Sequence, residues 1–241
     1  DGTLFPYTTL FRSLLVTCVY RDLHGSKFHY QYAHSTAAHN AVLVDGQGQT
    51  KHTSAPHGRI AAFRLGQDFD WVMGEAGDAY QGRLTRFRRH AVLVKGAQPF
   101  VVLCDDLEAK APATFQFMLH ALQPFEPDEK AARLATHRKD TGLEVRYLSP
   151  GPLAMRQWDG FDPPPRKEFP NQWHVETSTK DKSKDLRMVT VLLPYKGRNA
   201  PSWSARREES ADAVVVTVTL DGKDTIVRVP RAQGEASVQR R

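Results

Sequence analysis

The stretch Ala38-His39-Asn40-Ala41-Val42-Leu43-Val44-Asp45-Gly46-Gln47-Gly48-Gln49 combines residue types from which sites are built. A histidine and an asparagine stand just before a short β-branched run, and a glycine-rich polar turn follows it. Imidazole can ligate a metal or move a proton, and a carboxamide donates and accepts hydrogen bonds at once. A strand-end histidine bonded to a loop carbonyl is the plainer alternative. Upstream, His24, His29, His34 and His39 recur every five residues. On a strand that odd spacing alternates faces, so the four do not converge and the period is chance. Arg86 and Arg88 share one strand face, where two guanidinium groups could hold a carboxylate, with solvated charge as the default. His120 lies in an apolar strand as a hydrogen-bonded core or sheet-face residue, and Trp71, Trp158, Trp173 and Trp203 are mostly packing.

The elements that must position these residues are short β-branched and aromatic runs separated by turn chemistry. They are Leu14–Tyr20, Lys27–Ala33, Ala41–Val44, Arg59–Leu65, Phe69–Met73, Arg83–Val94, Phe100–Cys104 and Thr114–Leu122 in the first half. Leu143–Leu148, Leu153–Trp158, Trp173–Thr177 and Leu186–Leu193 follow, and Ala213–Leu220 with Asp224–Val229 forms a hairpin around Asp221-Gly222. Asp-Gly tolerates the positive φ values of a tight hairpin turn. The best helical window, Asp128–Ala135, is only about two turns long. Many short strands with almost no helix predict an all-β fold, a large antiparallel two-sheet β-sandwich of the supersandwich kind. Pro163–Pro165 cannot donate to a ladder, so Asp159–Gln172 is read as a surface insertion, and the polar tail from about residue 231 as frayed.

With 241 residues the chain can bury one large all-β core, and no apolar run approaches the roughly 20 residues needed to span a membrane. Cys18 and Cys104 are too far apart in sequence for a metal knuckle or a disulfide framework and read as small core residues. The net charge of +6 favours a polyanionic partner. Nucleic acid is not expected, because no ordered basic and aromatic platform accompanies that charge. Leu4–Ser13, LFPYTTLFRS, reads like a translated sequencing adapter, so residues 1–13 are expected to be non-native and residues 14–241 to be the domain.

The Ala38–Gln49 block is approached through Gly25-Ser26, then Phe28, His29, Tyr30 and Tyr32, then Ser35-Thr36. With these in view the chain resembles the heparinase II/III-like polysaccharide lyases, and Ala79-Tyr80, Arg86–Arg89, Val101–Asp105 and Leu119-His120 agree. The likeness is recognisable over roughly Leu14 to Leu122. It implies the C-terminal β-sandwich of a protein whose N-terminal part is a helical toroid, with the active site in the cleft between them. Such proteins cleave uronic-acid polysaccharides by β-elimination. A donor such as Asn, His or Arg neutralises the uronate carboxylate, then Tyr or His takes the proton and protonates the leaving oxygen. The resemblance assigns His39 as a ligand of zinc or another divalent metal, and Asn40, Arg86 and Arg88 are the candidate substrate-binding residues. The family's metal-ligating aspartate falls on Thr17, and the second histidine ligand and the catalytic residues lie upstream. No catalytic residue is therefore assigned here. The fragment is expected to be inactive alone and not to hold the metal tightly. Acidic polysaccharide and the missing toroid are the expected partners, and a periplasmic or secreted location follows from the resemblance. The competing reading is a non-catalytic carbohydrate-binding or scaffolding sandwich whose metal site has decayed. Thr17 favours that reading, and the intact Ala-His-Asn block favours the lyase.

Overall fold

The computed structural model describes residues 14–17, 22–51, 53, 58–231 and 234–241; the segment Leu4–Ser13 and Cys18 lie outside them. Sixteen strands follow in order. They are β1 (Val42–Val44), β2 (Arg59–Leu65), β3 (Phe69–Glu75), β4 (Leu84–Val94), β5 (Phe100–Ala113), β6 (Phe115–Ala121), β7 (Phe125–Asp128) and β8 (Arg133–Arg138). Then come β9 (Thr141–Leu148), β10 (Leu153–Asp159), β11 (Trp173–Thr179), β12 (Ser183–Lys196), β13 (Trp203–Glu209), β14 (Ala213–Leu220), β15 (Lys223–Pro230) and β16 (Ser237–Arg240). The all-β antiparallel sandwich read from the sequence is present.

It has three sheets where two were expected. A central sheet runs β2-β3-β4-β5-β12-β9-β8-β7, and two four-stranded sheets flank it, β1-β6-β11-β10 and β13-β14-β15-β16. The cause is legible in β12. Leu186, Met188 and Leu192 enter the core shared with Phe115, Phe117 and Leu119 of β6. Val189, Val191 and Leu193 enter a second core with Trp203, Val214 and Val227 of the other flanking sheet. A strand buried on both faces has a continuous apolar run and no alternation, and each face needs its own cover. Each fully buried side chain of this kind contributes about 1.5–3 kcal/mol. Cys104 is one of them, a buried free thiol. In the β14–β15 hairpin Asp221 and Gly222 take φ values of 47° and 79°, as the Asp-Gly turn requires.

Five local expectations change. Lys27–Ala33 is not a strand: Phe28–Ala33 is one wide turn of π-helix. That turn brings Phe28 and Tyr32 together, ring centroids 5.5 Å apart, against Phe161. Asp128–Ala135 is not helical: β7 ends at Asp128, the Asp128 carboxylate accepts the Ala131 N–H, Ala132 turns with φ 48°, and β8 begins at Arg133. The segment Asp159–Gln172 is more than an insertion. Phe161 and Phe169 pack on Phe28, so this loop and the π-turn together cover the outer face of β6 and β11. The tail is not frayed throughout, because β16 pairs with β15 and Val238 packs on the second core. Of Leu14–Tyr20, residues 14–17 form no strand, and the remainder lies outside the described residues.

Candidate functional site

The short β1 strand carries the Ala-His-Asn block to the edge of its sheet. A single helical turn, Thr36–Ala38, buries Ala38 completely, and His39 leaves it in extended conformation. The His39 ring is held at both nitrogens. Nε2 faces the Ala33 carbonyl at 3.2 Å and must carry the ring hydrogen, so Nδ1 accepts from the Thr17 hydroxyl in a short bond. Asn40 is a clasp. Its Nδ2 donates to Val16 O at 3.1 Å, its Oδ1 accepts the His120 N–H at 2.9 Å, and its carbonyl receives Arg89 Nη1 at 3.4 Å. Arg89 is fixed in turn by a bidentate pair with the buried Asp105, at 2.6 and 2.9 Å.

Directly behind the block lies a histidine pair. His120 on β6 and His174 on β11 are cross-strand partners, with Nδ1 atoms 2.7 Å apart. Each ring points Nε2 at a carbonyl oxygen, His39 O at 3.1 Å and Gly160 O at 2.6 Å. Three contacts call for three ring hydrogens, and two neutral imidazoles supply two. Burial, and after it the neighbouring His174, pushes His120 down to about 3, and burial lowers His174 as well, so the neutral forms prevail. The hydroxyl of Tyr32 reaches His174 Nδ1 at 3.4 Å. Nearby Tyr80 donates to Val42 O at 2.6 Å, and burial pushes its phenol up to about 12, which makes it a strut and not a base.

Three of the evenly spaced histidines do gather. On the π-turn the rings of His29 and His34 lie 4.3 Å apart by centroid, and those of His24 and His29 lie 4.9 Å apart. Their spacing does not alternate faces here, because Phe28–Ala33 is helical. Among the described residues, however, no three His, Cys, Asp or Glu side chains converge to hold a metal. His39 itself has both ring nitrogens committed to the chain. The donor set present therefore does not fit a divalent ion by itself.

Arg86 and Arg88 stand on the opposite face of β4 from Arg89. Arg86 pairs with Asp106, Glu108 and Asp185, and Arg88 with Glu75 at 2.9 Å. The groove of about 720 Å³ that they line with Arg59 also contains Glu75, Asp78 and Glu108, so its charge is balanced. A different cleft, of about 360 Å³, lies beside the block between Ser35–Ala37 and Gly46–Lys51. Its charged lining side chains are Lys51 and Arg83. These reach only carbonyl oxygens, of Gln31 and of Gly48 and Tyr80, and among the described residues neither pairs with a carboxylate. Sequence reasoning overlooked Arg89 and His174. Strand parity with the apolar Phe87 marks Arg89 as facing the His39 layer, but no local signal sets His174 opposite His120.

Fold and cluster together define a large layered β-sandwich domain with its polar site at the edge of one flanking sheet. The chain belongs to the heparinase II/III-like, C-terminal family, which it matches over residues 12–237. No curated protein matches it. Among solved structures it is similar to a heparinase III gene product, with a TM-score of 0.70 and 15% identity, covering 88% of this chain and 33% of that one. Heparan sulfate lyase HepC from Pedobacter heparinus gives a TM-score of 0.70 and 18% identity, covering 90% of this chain and 34% of the other. A further heparinase III structure gives 0.65 and 18%, covering 93% and 32%. The chain thus spans about a third of the length of the solved structures it matches.

Proposed function

We propose that this chain is the C-terminal sandwich of a polysaccharide lyase that cleaves uronic-acid-containing polysaccharide by β-elimination, acting with an N-terminal helical domain. The observation that carries the reading is the intact Ala38-His39-Asn40 block of a heparinase II/III-like sandwich, set beside a cleft whose cations have no carboxylate partners among the described residues. Lys51 and Arg83 offer two positive charges to an acidic polymer beside the edge that carries His39 and Asn40. Arg86 and Arg88 are weaker substrate ligands, since a uronate must displace carboxylates they already hold. His39 is the one residue of this chain proposed to bind zinc or another divalent ion, and only with ligands from a longer chain and with Nδ1 released from the Thr17 hydroxyl. Export to the periplasm or beyond the cell accords with a polymeric substrate.

A second reading, a carbohydrate-binding sandwich with a decayed metal site, is favoured by Thr17, whose hydroxyl occupies His39 Nδ1. Two measurements test the proposal, and the second separates the readings. The 241-residue chain should bind alginate or heparin-like chains, and Lys51→Glu with Arg83→Glu should weaken binding about tenfold, more than Arg86→Ala with Arg88→Ala does. The full-length protein should release unsaturated sugars, detected by near-ultraviolet absorbance, while this chain alone releases none. Binding without turnover by the full-length protein would establish the second reading.

A further inference from the structure

The central sheet is wider than the layer that covers it. It has eight strands, and the β1-β6-β11-β10 sheet over one face has four. On that face Leu103 of β5 and Phe87 and Arg89 of β4 lie against the covering layer, which meets them through Leu15, Asn40, Ala41 and Phe117. Beyond Leu103 the cover stops but the apolar surface does not. In register come Val101 opposite Leu93, Leu103 opposite Ala91, then Val72 and Asp70 of β3, then Phe63 and Leu65 of β2. These residues line an open, almost wholly apolar groove of about 470 Å³, whose one charged lining residue, Asp70, is paired with Lys95 at 2.7 Å. Ile60, Phe63 and Leu65 are 71%, 66% and 75% exposed, on a strand with a solvent-facing edge. A contiguous apolar patch rimmed by polar groups marks a surface that is covered in use.

We propose that this face seats polypeptide that precedes Leu14 in the full-length protein, laid as further strands beside β1 so that the covering layer continues across the sheet. Three observations identify that occupant. β1 pairs only with β6 among the described strands, so its other edge is open to a new strand. Past Ala41 residues 14–17 take over the place of β1 along β6: Val16 N–H donates to His120 O at 2.8 Å, two residues past the bond from Met118 N–H to Ala41 O, so the chain that precedes Leu14 leaves from the end of the β1 row. Leu15 there lines the same small cavity as Leu103, on the strand that leads into the groove. Finally, the solved structures matched are about three times as long as this chain. The inference does not depend on lyase activity, since a binding protein of the same family would need the same cover.

The test is thiol labelling in a Cys18→Ser background. Cys104 stays silent, because it is buried and its thiol is pushed up to about 12. Phe63→Cys probes the groove, and Ser204→Cys, exposed on β13, is the reference. In the 241-residue chain at low concentration the two should label at similar rates. In the full-length monomer Phe63→Cys should slow by at least about tenfold while Ser204→Cys is unchanged, as burial behind a folded layer requires. As a check free of substitutions, the 241-residue chain should bind an apolar dye such as anilinonaphthalene sulfonate, and the full-length protein should not. Equal labelling in the full-length monomer overturns the proposal. So does protection of the 241-residue chain that grows with its own concentration, which would make the occupant a second copy.

Discussion

Asn40 uses both ends of its carboxamide internally, tying residue 16 to β6. Replacing it by alanine leaves the His120 N–H and the Val16 carbonyl without partners in a part-buried site. The expected loss is about 1–3 kcal/mol by urea denaturation, and Asn40→Asp should recover part of it by keeping the acceptor. A loss below a few tenths would show that water replaces the clasp. His90 makes a sharper case. It is 2% exposed, and its Nδ1 accepts from Trp71 Nε1 at 3.1 Å, which requires the neutral ring. Burial first, and then Arg88, pushes it down to about 4. A depressed histidine binds fewer protons folded than unfolded. Its stabilising effect is therefore full above the unfolded value of about 6.5 and is lost as pH falls toward 4, at about 1.4 kcal/mol per pH unit. Denaturation at pH 7 and pH 5 should show this contribution on top of those of His120 and His174, and His90→Gln, which keeps an acceptor for Trp71, should reduce the slope by about that amount.

At the scale of elements, the site is held by packing between pieces distant in sequence. The π-turn Phe28–Ala33 and the loop Asp159–Gln172 touch through Phe28, Phe161 and Phe169, and together they close over the histidine pair. In the central sheet, the Tyr195 ring on β12 folds over its cross-strand partner Gly142 on β9, filling the space a Cβ would take. Gly142→Ala should thus cost about 1–3 kcal/mol by displacing the ring. In a Tyr195→Ala background most of that penalty should vanish in a double-mutant cycle. Additive losses would mean that the glycine is needed for its backbone and not for the ring.

For the whole molecule, three layers and two cores make a frame in which the His39 edge and the open apolar face lie on the same side of the central sheet. One imidazole already bonded at both nitrogens cannot supply the three or four converging ligands that tight zinc requires. After dialysis the 241-residue chain should retain clearly less than one equivalent of zinc, measured by elemental analysis. Stoichiometric zinc that is lost with His29→Ala or His34→Ala, but not with His39→Ala, would show that the clustered histidines rearrange into a site.

By itself the sequence determined the strand content, the Asp-Gly hairpin and the Ala-His-Asn block, because each is a local pattern of a few residues. The third sheet was implicit in the unalternating run of β12 and was missed by counting strands without asking how many faces each buries. Only the tertiary structure decided the rest. Phe28–Ala33 alternates like a strand, yet turns as a π-helix because its aromatic rings have a partner more than a hundred residues away. His174 meets His120, and Thr17 meets His39, through sheet register and chain path, which are set by the summed burial of whole strands and not by any motif.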